Sequence, residues 1–320
     1  MNISSASLQS KVTPPPNAAQ KELAAGLLAT NAQISPKYFY DGIGSVLFEA
    51  ICELPEYYPT RTEAAIFSHH MSEMAQVIGT GTTLIDLGAG NCAKAERLFS
   101  QLHPQQYVPV DISADHLHDA VQRLQQRFPH IEMTAVGLDF SVQWQLPDNV
   151  RGDKRLFFYP GSSIGNFDAD QALNFLRQLR AACNGDGGLL IGVDLIKDHL
   201  VLNTAYNDAL GVTAAFNLNA LRHVNRVLRS DFDVRQWQHF SFFNLQRSRI
   251  EMHLQAKEHV TVHWPDGERR FAKGETIHTE NSYKYTVPAF IEMLEQAGFA
   301  PARHWSDTAN WFSVIHARAK

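Results

Sequence analysis

Asp86-Leu-Gly88-Ala-Gly90-Asn-Cys-Ala93 stands where an apolar run, Thr83 to Leu87, gives way to a helical pattern. Glycines at such a strand-to-helix turn let a ligand come close to the backbone, and the N–H groups at the helix start point at it. Asp111 closes the next apolar run 23 residues beyond Gly88, the usual place for a carboxylate that takes both hydroxyls of a ribose. The same residues also fit a tight turn with a helix-capping aspartate.

Two ligands compete for this turn. Gly88-x-Gly90-x-x-Ala93 satisfies the dinucleotide fingerprint, so a nicotinamide-dependent oxidoreductase is one expectation. Asp86 points the other way, because a carboxylate beside the turn repels a pyrophosphate. It favours S-adenosylmethionine, which carries a sulfonium and an α-ammonium. Asp139-Phe140, after the third apolar run, agrees: an acidic side chain can bond the adenine amine while an aromatic ring covers its face. The methyl donor is the better fit.

These residues need a scaffold that alternates strand and helix. Thr83–Leu87, Tyr107–Val110, Ile131–Val136, Arg155–Tyr159 and Leu189–Leu195 read as strands, with Pro109 weakening the second. Between them, Ser113 reads as an N-cap before Leu117, Ala120, Val121, Leu124 and Phe128. Asp168 with Gln171 resembles a capping box before Ala172, Phe175, Leu176 and Leu179. The pattern predicts an α/β fold with an open parallel sheet.

The next stretch interrupts it. A helix opens near Thr213, and Arg249 to Ala256 alternates strictly, with Ile250, Met252, Leu254 and Ala256 on one side, as in a half-buried antiparallel strand. Pro265-Asp266-Gly267 is a turn, and a further strand leads to Glu280. Thr286 and Pro288 restart a helix that Gly298 closes, and Trp305 to Ala319 can return the last strands to the first sheet. The expected division is a loose arm at 1–20, one domain from 21–61 with 197–285, and another from 62–196 with 286–320.

Composition removes several function classes. The 320 residues are 44% hydrophobic and 19% charged, enough for two folded domains. The formal charge of −5, with no run of five like charges, disfavours nucleic acid or an anionic membrane surface as partner. Three separated cysteines give no disulfide framework or CxxC metal site, and the fifteen histidines show no ligand spacing, so no metal is expected. With no apolar leader or span, a cytoplasmic protein is expected.

The sequence resembles the histidine Nα-methyltransferase family of ergothioneine biosynthesis, whose product is hercynine. The resemblance runs from about Tyr38 to the C-terminus, on Tyr38-Phe-Tyr-Asp41, Pro55-Glu-Tyr-Tyr-Pro-Thr-Arg61, Gly161-Ser-Ser-Ile-Gly-Asn166, Ala205-Tyr-Asn-Asp208 and Thr279-Glu-Asn-Ser282. It implies a class I methyltransferase fold, with a smaller substrate-binding domain built from the N-terminal segment and the insertion. Carried over by position, Gly88, Lys94, Asp111, Asp139 and Phe140 match the methyl-donor site. Tyr58, Asn166, Tyr206, Glu280 and Ser282 match the histidine site. Asn281 and Tyr283 depart from the family pattern, in which Val and Cys are frequent.

The chemistry gives these residues roles. Methyl transfer from a sulfonium to an amine asks the protein for alignment and for an unprotonated nitrogen. Tyr58 and Tyr206 are expected to anchor the α-carboxylate, and Asn166 to orient the amine. Glu280 and Ser282 would meet the two ring nitrogens of L-histidine, with Met252 packed against the imidazole. Tyr40 would lie close by as the amine loses its proton to water. On residue type alone, Tyr57-Tyr58-Pro59 also reads as a packed turn, Glu280 as a solvated strand position, Met252 as core and Asn166 as a helix-entry residue. A tryptophan derivative is the alternative acceptor, and a monomer the expected assembly.

Overall fold

A computed structural model describes residues 16–112, 114–138 and 146–320. Ser113 and the pair Asp139-Phe140 lie outside the described residues. In chain order, α1 (Pro16–Leu28) and α2 (Gly42–Cys52) precede α3 (Tyr58–Ile78). The alternating stretch follows: β1 (Thr83–Leu87), α4 (Ala93–Leu102), β2 (Gln106–Asp111), α5 (Ala114–Arg127), β3 (Glu132–Met133), β4 (Val136–Gly137), β5 (Arg155–Tyr159), α6 (Ala169–Ala182) and β6 (Gly188–Asp194). Then come α7 (His199–Ala205), α8 (Val212–Leu228), β7 (Trp237–Asn244), β8 (Arg249–Ala256), β9 (Val260–Trp264), β10 (Gly267–Phe271) and β11 (Thr276–Tyr283). The chain closes with α9 (Val287–Gln296), β12 (Arg303–Ser306) and β13 (Phe312–Arg318). Helix α1 starts at Pro16, so the last five residues of the segment expected as a loose arm are helical.

The chain divides into two compact units, one of Arg61–Leu195 with Tyr285–Lys320, the other running up to Thr60 and resuming over Ile196–Lys284. The first holds a sheet in the order β12-β13-β6-β5-β1-β2-β3, with β4 also on β2. All pairs from β6 to β3 are parallel, and β13 and β12 are antiparallel additions at one edge. Both faces are covered, which is why β1, β5 and β6 read as continuous apolar runs. Ile85, Phe157 and Tyr159 pack with Phe175 and Leu176 of α6 and Phe290 of α9. Leu84, Leu156 and Phe158 turn to the other side, toward Ile66 of α3, Leu98 of α4 and Val121 of α5. Burying each large apolar side chain contributes about 1.5–3 kcal/mol.

Pro109 does not break β2. Its neighbours of the same parity face the β3/β4 side, as the bond from Thr134 N to Tyr107 O shows, while Val110 O faces β1 and accepts from Gly88 N. The missing N–H of Pro109 therefore falls where the third strand is itself interrupted. The single strand expected over Ile131–Val136 is instead two residue pairs, β3 and β4, separated by Thr134 and Ala135.

The capping box is present, with Asp168 Oδ1 accepting from Gln171 N at 2.9 Å and Gln171 Oε1 accepting from Asp168 N at 3.1 Å. Thr286 caps α9 as expected.

The second unit contains a three-stranded antiparallel sheet, β11-β8-β7, and the hairpin β9–β10. Leu23 and Leu27 of α1, Leu221, Val224 and Leu228 of α8, and Trp237, Leu254 and Ile277 of the sheet share its core. Asp41 caps α2 by accepting from Gly44 N at 2.7 Å, and it also accepts from Asn219 of α8 at 2.7 Å and from Arg226. The polar face of β8 is not solvated as simple alternation implies: Arg249 and Glu251 pair with each other and are buried.

Candidate active site

In the first unit, β1 delivers Asp86 to the base of the glycine turn. Its side chain is buried and accepts a bond from the Tyr107 hydroxyl at 2.8 Å. Burial raises the carboxyl to about 7, against the pull of that bond. Gly88 and Gly90 have φ of 69° and 51°, and a Cβ at either would project into open space, so backbone conformation rather than crowding demands glycine. Asp111, at the end of β2, accepts from Gly90 N at 3.0 Å through Oδ2. The carboxylate expected for a ribose thus also braces the turn. Open backbone flanked by two carboxylates suits a cationic, ribose-bearing ligand. Cys92 is buried and its thiol is pushed up to about 12, so the helix start does not make it reactive.

Lys94 lies in the first turn of α4, and its ammonium donates to Glu63 Oε2 of α3 at 2.8 Å. The other Glu63 oxygen accepts from Gly161 N at 2.7 Å. Glu63 is a residue that sequence reasoning missed. Asn166 ends a short 3₁₀ turn, Ser163–Asn166, just before the Asp168 cap, and is half-buried.

In the second unit, Tyr58 is fully buried and its hydroxyl accepts from Lys197 Nζ at 2.8 Å. Tyr206 caps the C-terminus of α7, and its carbonyl is held by His239 Nε2 at 2.8 Å and Ser241 Oγ at 3.1 Å, both from β7. The Tyr206 hydroxyl meets Ser282 Oγ at 2.8 Å, and Lys284 donates to both, at 3.1 and 2.8 Å. Lys284 is itself only 3% exposed. Tyr40 packs edge-on to Phe48 and Phe216, 5.8 Å from each.

Glu280 owes its direction to a β-bulge. His278 pairs with His253, but the next paired residue is Glu280, opposite Met252, and Ser282 follows opposite Ile250. Thr279 is the extra residue, with its hydroxyl on Met252 O at 3.0 Å. Strict alternation would put His278, Glu280 and Ser282 on one face; the bulge moves the last two to the face of Met252. Asn281 and Tyr283, the departures from the family pattern, pair with Glu251 and Arg249 on the opposite face. Burial raises the Glu280 carboxyl to about 7, and the Lys284 charge opposes this.

Tyr57 was also missed. Its ring lies 6.1 Å from that of Tyr206. Desolvation, with Tyr206, Cys52, Glu280 and Tyr40 as electrostatic neighbours, holds its hydroxyl well above the ordinary range. The structure therefore gathers Tyr40, Tyr57, Tyr206, Glu280, Ser282 and Lys284, while Tyr58 is tied to Lys197.

The fold also brings together three groups that the histidine spacing did not show. Glu251, His253 and His278 hold ligand-type atoms within 4.8 Å of one another. Arg249 Nε and Nη2, at 2.8 and 2.7 Å, and Asn244 at 2.9 Å already occupy Glu251 Oε1. The charge of that carboxylate is matched by arginine, and the cluster reads as an ion-pair network.

Among the described residues no helix is long and apolar enough to cross a membrane. The family model described as histidine-specific methyltransferase, SAM-dependent, matches residues 19–319. The chain is 38% identical over 303 residues to the histidine N-alpha-methyltransferase of Mycolicibacterium smegmatis, covering 93% of this chain and 94% of the relative. It is 27% identical to ergothioneine biosynthesis protein 1 of Neurospora crassa, over 86% of this chain and 32% of that longer protein. It is 25% identical to the 4-dimethylallyltryptophan N-methyltransferase of Arthroderma benhamiae, over 89% of both. The formal dinucleotide match of the glycine turn is thereby set aside, and the sheet is the mostly parallel α/β sheet that the sequence pattern predicted. By a family match that spans nearly its whole length, the chain belongs to the S-adenosylmethionine-dependent, histidine-specific methyltransferases.

Proposed function

We propose that the first unit holds S-adenosylmethionine, that the second holds L-histidine, and that the chain methylates the α-amine three times to give hercynine. The observation that carries this reading is the bulge that sets Glu280 and Ser282 beside each other on the Met252 face, with Tyr206 bonded to Ser282. A carboxyl and a hydroxyl so placed suit the two ring nitrogens of an imidazole, one accepting and the other bonding in either sense. An indole has one ring N–H and no ring acceptor, so the pair discriminates against a tryptophan derivative.

When bound, the donor supplies a methyl group already activated by its sulfonium. Each transfer forms an N–C bond as the C–S bond breaks, and a proton must leave the nitrogen for water before each attack. The protein's task is alignment. Tyr58 and Tyr206 are assigned to the α-carboxylate, Asn166 to the amine, and Tyr40 to the surroundings of the nitrogen as it deprotonates. On the donor side, Gly88 and Gly90 give backbone access, Asp111 takes the ribose, and Lys94 lies behind the turn. Asp139 and Phe140 are assigned to the adenine. A monomer in the cytoplasm completes the reading.

Mass spectrometry of the purified protein incubated with S-adenosylmethionine and all twenty amino acids tests this directly. Histidine gaining three methyl groups, with the other nineteen unchanged, is the expected result. A different methylated amino acid, or none, overturns it.

A further inference from the structure

Glu63 is 2% exposed, and both of its oxygens are engaged by groups far apart in sequence. Oε2 accepts from Lys94 Nζ at 2.8 Å and Oε1 from Gly161 N at 2.7 Å. A carboxylate this deep is strongly unfavourable unless it is paired and hydrogen-bonded, so both partners are needed to keep it there.

The fold makes room for it. Gly192 interrupts the apolar run of β6, and a Cβ there would collide with Glu63 Oε1 and stand 2.9 Å from the Phe312 ring. Glycine inside a buried strand weakens it and marks a close approach. Here what approaches is the carboxylate.

The two partners have functional neighbours. Lys94 follows the left-handed Cys92 that ends the glycine turn. Gly161 opens the segment that ends at Asn166, and a Cβ on it would come within 3.0 Å of Lys94 Nζ. One buried carboxylate thus fixes the segment behind the donor turn against the segment that carries Asn166. It also pairs with an ammonium that lies close to a turn expected to receive a cation.

We propose that Glu63 is a positioning residue of the donor site, holding the Lys94 side chain and the Gly161 backbone in one register. This rests on the assignment of S-adenosylmethionine to the first unit.

Calorimetric titration of S-adenosylmethionine into the wild type, Glu63→Gln, Lys94→Met and the double variant tests it. Glu63→Gln should weaken donor binding about tenfold, the size expected for losing a charged hydrogen bond. The double variant should bind within about threefold of the weaker single variant, because both changes break one connection. Glu63→Asp keeps the charge on a shorter arm and should restore part of the affinity. Donor affinity unchanged in Glu63→Gln overturns the proposal, as do losses that multiply in the double variant. A merely structural role would lower the melting temperature without this coupling to Lys94. Should Glu63→Gln not fold, Glu63→Asp alone decides, since affinity equal to wild type would overturn the assignment. A wild type that neither binds the donor nor methylates histidine removes the functional reading itself. A wild type that does both, beside a Glu63→Gln variant that binds equally well, removes only the role of Glu63.

Discussion

Lys197 Nζ donates to the Tyr58 hydroxyl at 2.8 Å and stands 4.4 Å from the centre of the same ring. An ammonium only donates, so the phenol oxygen accepts in this bond. Tyr58→Phe leaves the buried ring in place and removes the hydroxyl. The KM for histidine should rise about tenfold with donor affinity unchanged. An unaltered KM in steady-state kinetics would make Tyr58 a packing residue.

Glu280 is proposed to act in recognition, and its burial also gives it a pH response. Its carboxyl is raised by burial from 4.5 to about 7, so the native state holds this proton more tightly than the unfolded chain. The stability from that proton is complete below about 4.5 and is lost as pH rises through about 7. Without ligand, the melting temperature of wild type relative to Glu280→Gln should therefore fall between these values and level off above. A flat difference would place the carboxyl in the ordinary range. Glu280→Ala should cut histidine turnover by about 10–100-fold and leave donor affinity intact. Equal loss of both would show that Glu280 is structural.

The charge on Lys284 works against that rise. Lys284→Met removes it while the Tyr206–Ser282 bond of 2.8 Å can persist. The Glu280-dependent fall in stability should then move to higher pH, read as the pH midpoint of the melting difference between Lys284→Met and its Glu280→Gln double variant. A midpoint that stays in place would mean that the ammonium does not act on Glu280.

Asp86 presents the same sign in the first unit. Burial raises its carboxyl from 3.8 to about 7, so stability is lost as pH climbs through that range. Asp86→Asn keeps an acceptor for Tyr107 and has no proton to lose. Scanning calorimetry should find the variant more stable than wild type at pH 8, by a few kcal/mol, with a smaller advantage at pH 5. Donor binding should weaken, since a negative charge beside a cationic ligand is gone. No gain at pH 8 would mean that the buried carboxylate is better compensated than its surroundings indicate.

The sequence was most informative where the cause is local. The β5 strand, the Asp168–Gln171 box and the Thr286 cap follow from residues a few positions apart, and each is found where expected. Pro109 misleads in isolation because its harmlessness depends on which side of β2 lacks an N–H partner. The bulge at Thr279 was not legible, because register is set jointly by β8 and β11. Glu63 was hidden for a similar reason: its partners lie 31 and 98 residues away, and only Gly192, a glycine amid apolar strand residues, signals a close approach. Tyr57 and Tyr58 are adjacent tyrosines that composition cannot rank, and packing gives each a different neighbour.

The excursion of residues 196–284 leaves and rejoins the first unit at adjacent points. Leu195 and Tyr285 form a parallel bridge, and Tyr285 N donates to Asp194 O at 2.9 Å. In chain terms this is a cassette with its two ends stitched side by side. Because Leu195 and Tyr285 are tied to each other within the first unit, a change of length between Ile196 and Lys284 need not disturb the register of the central sheet.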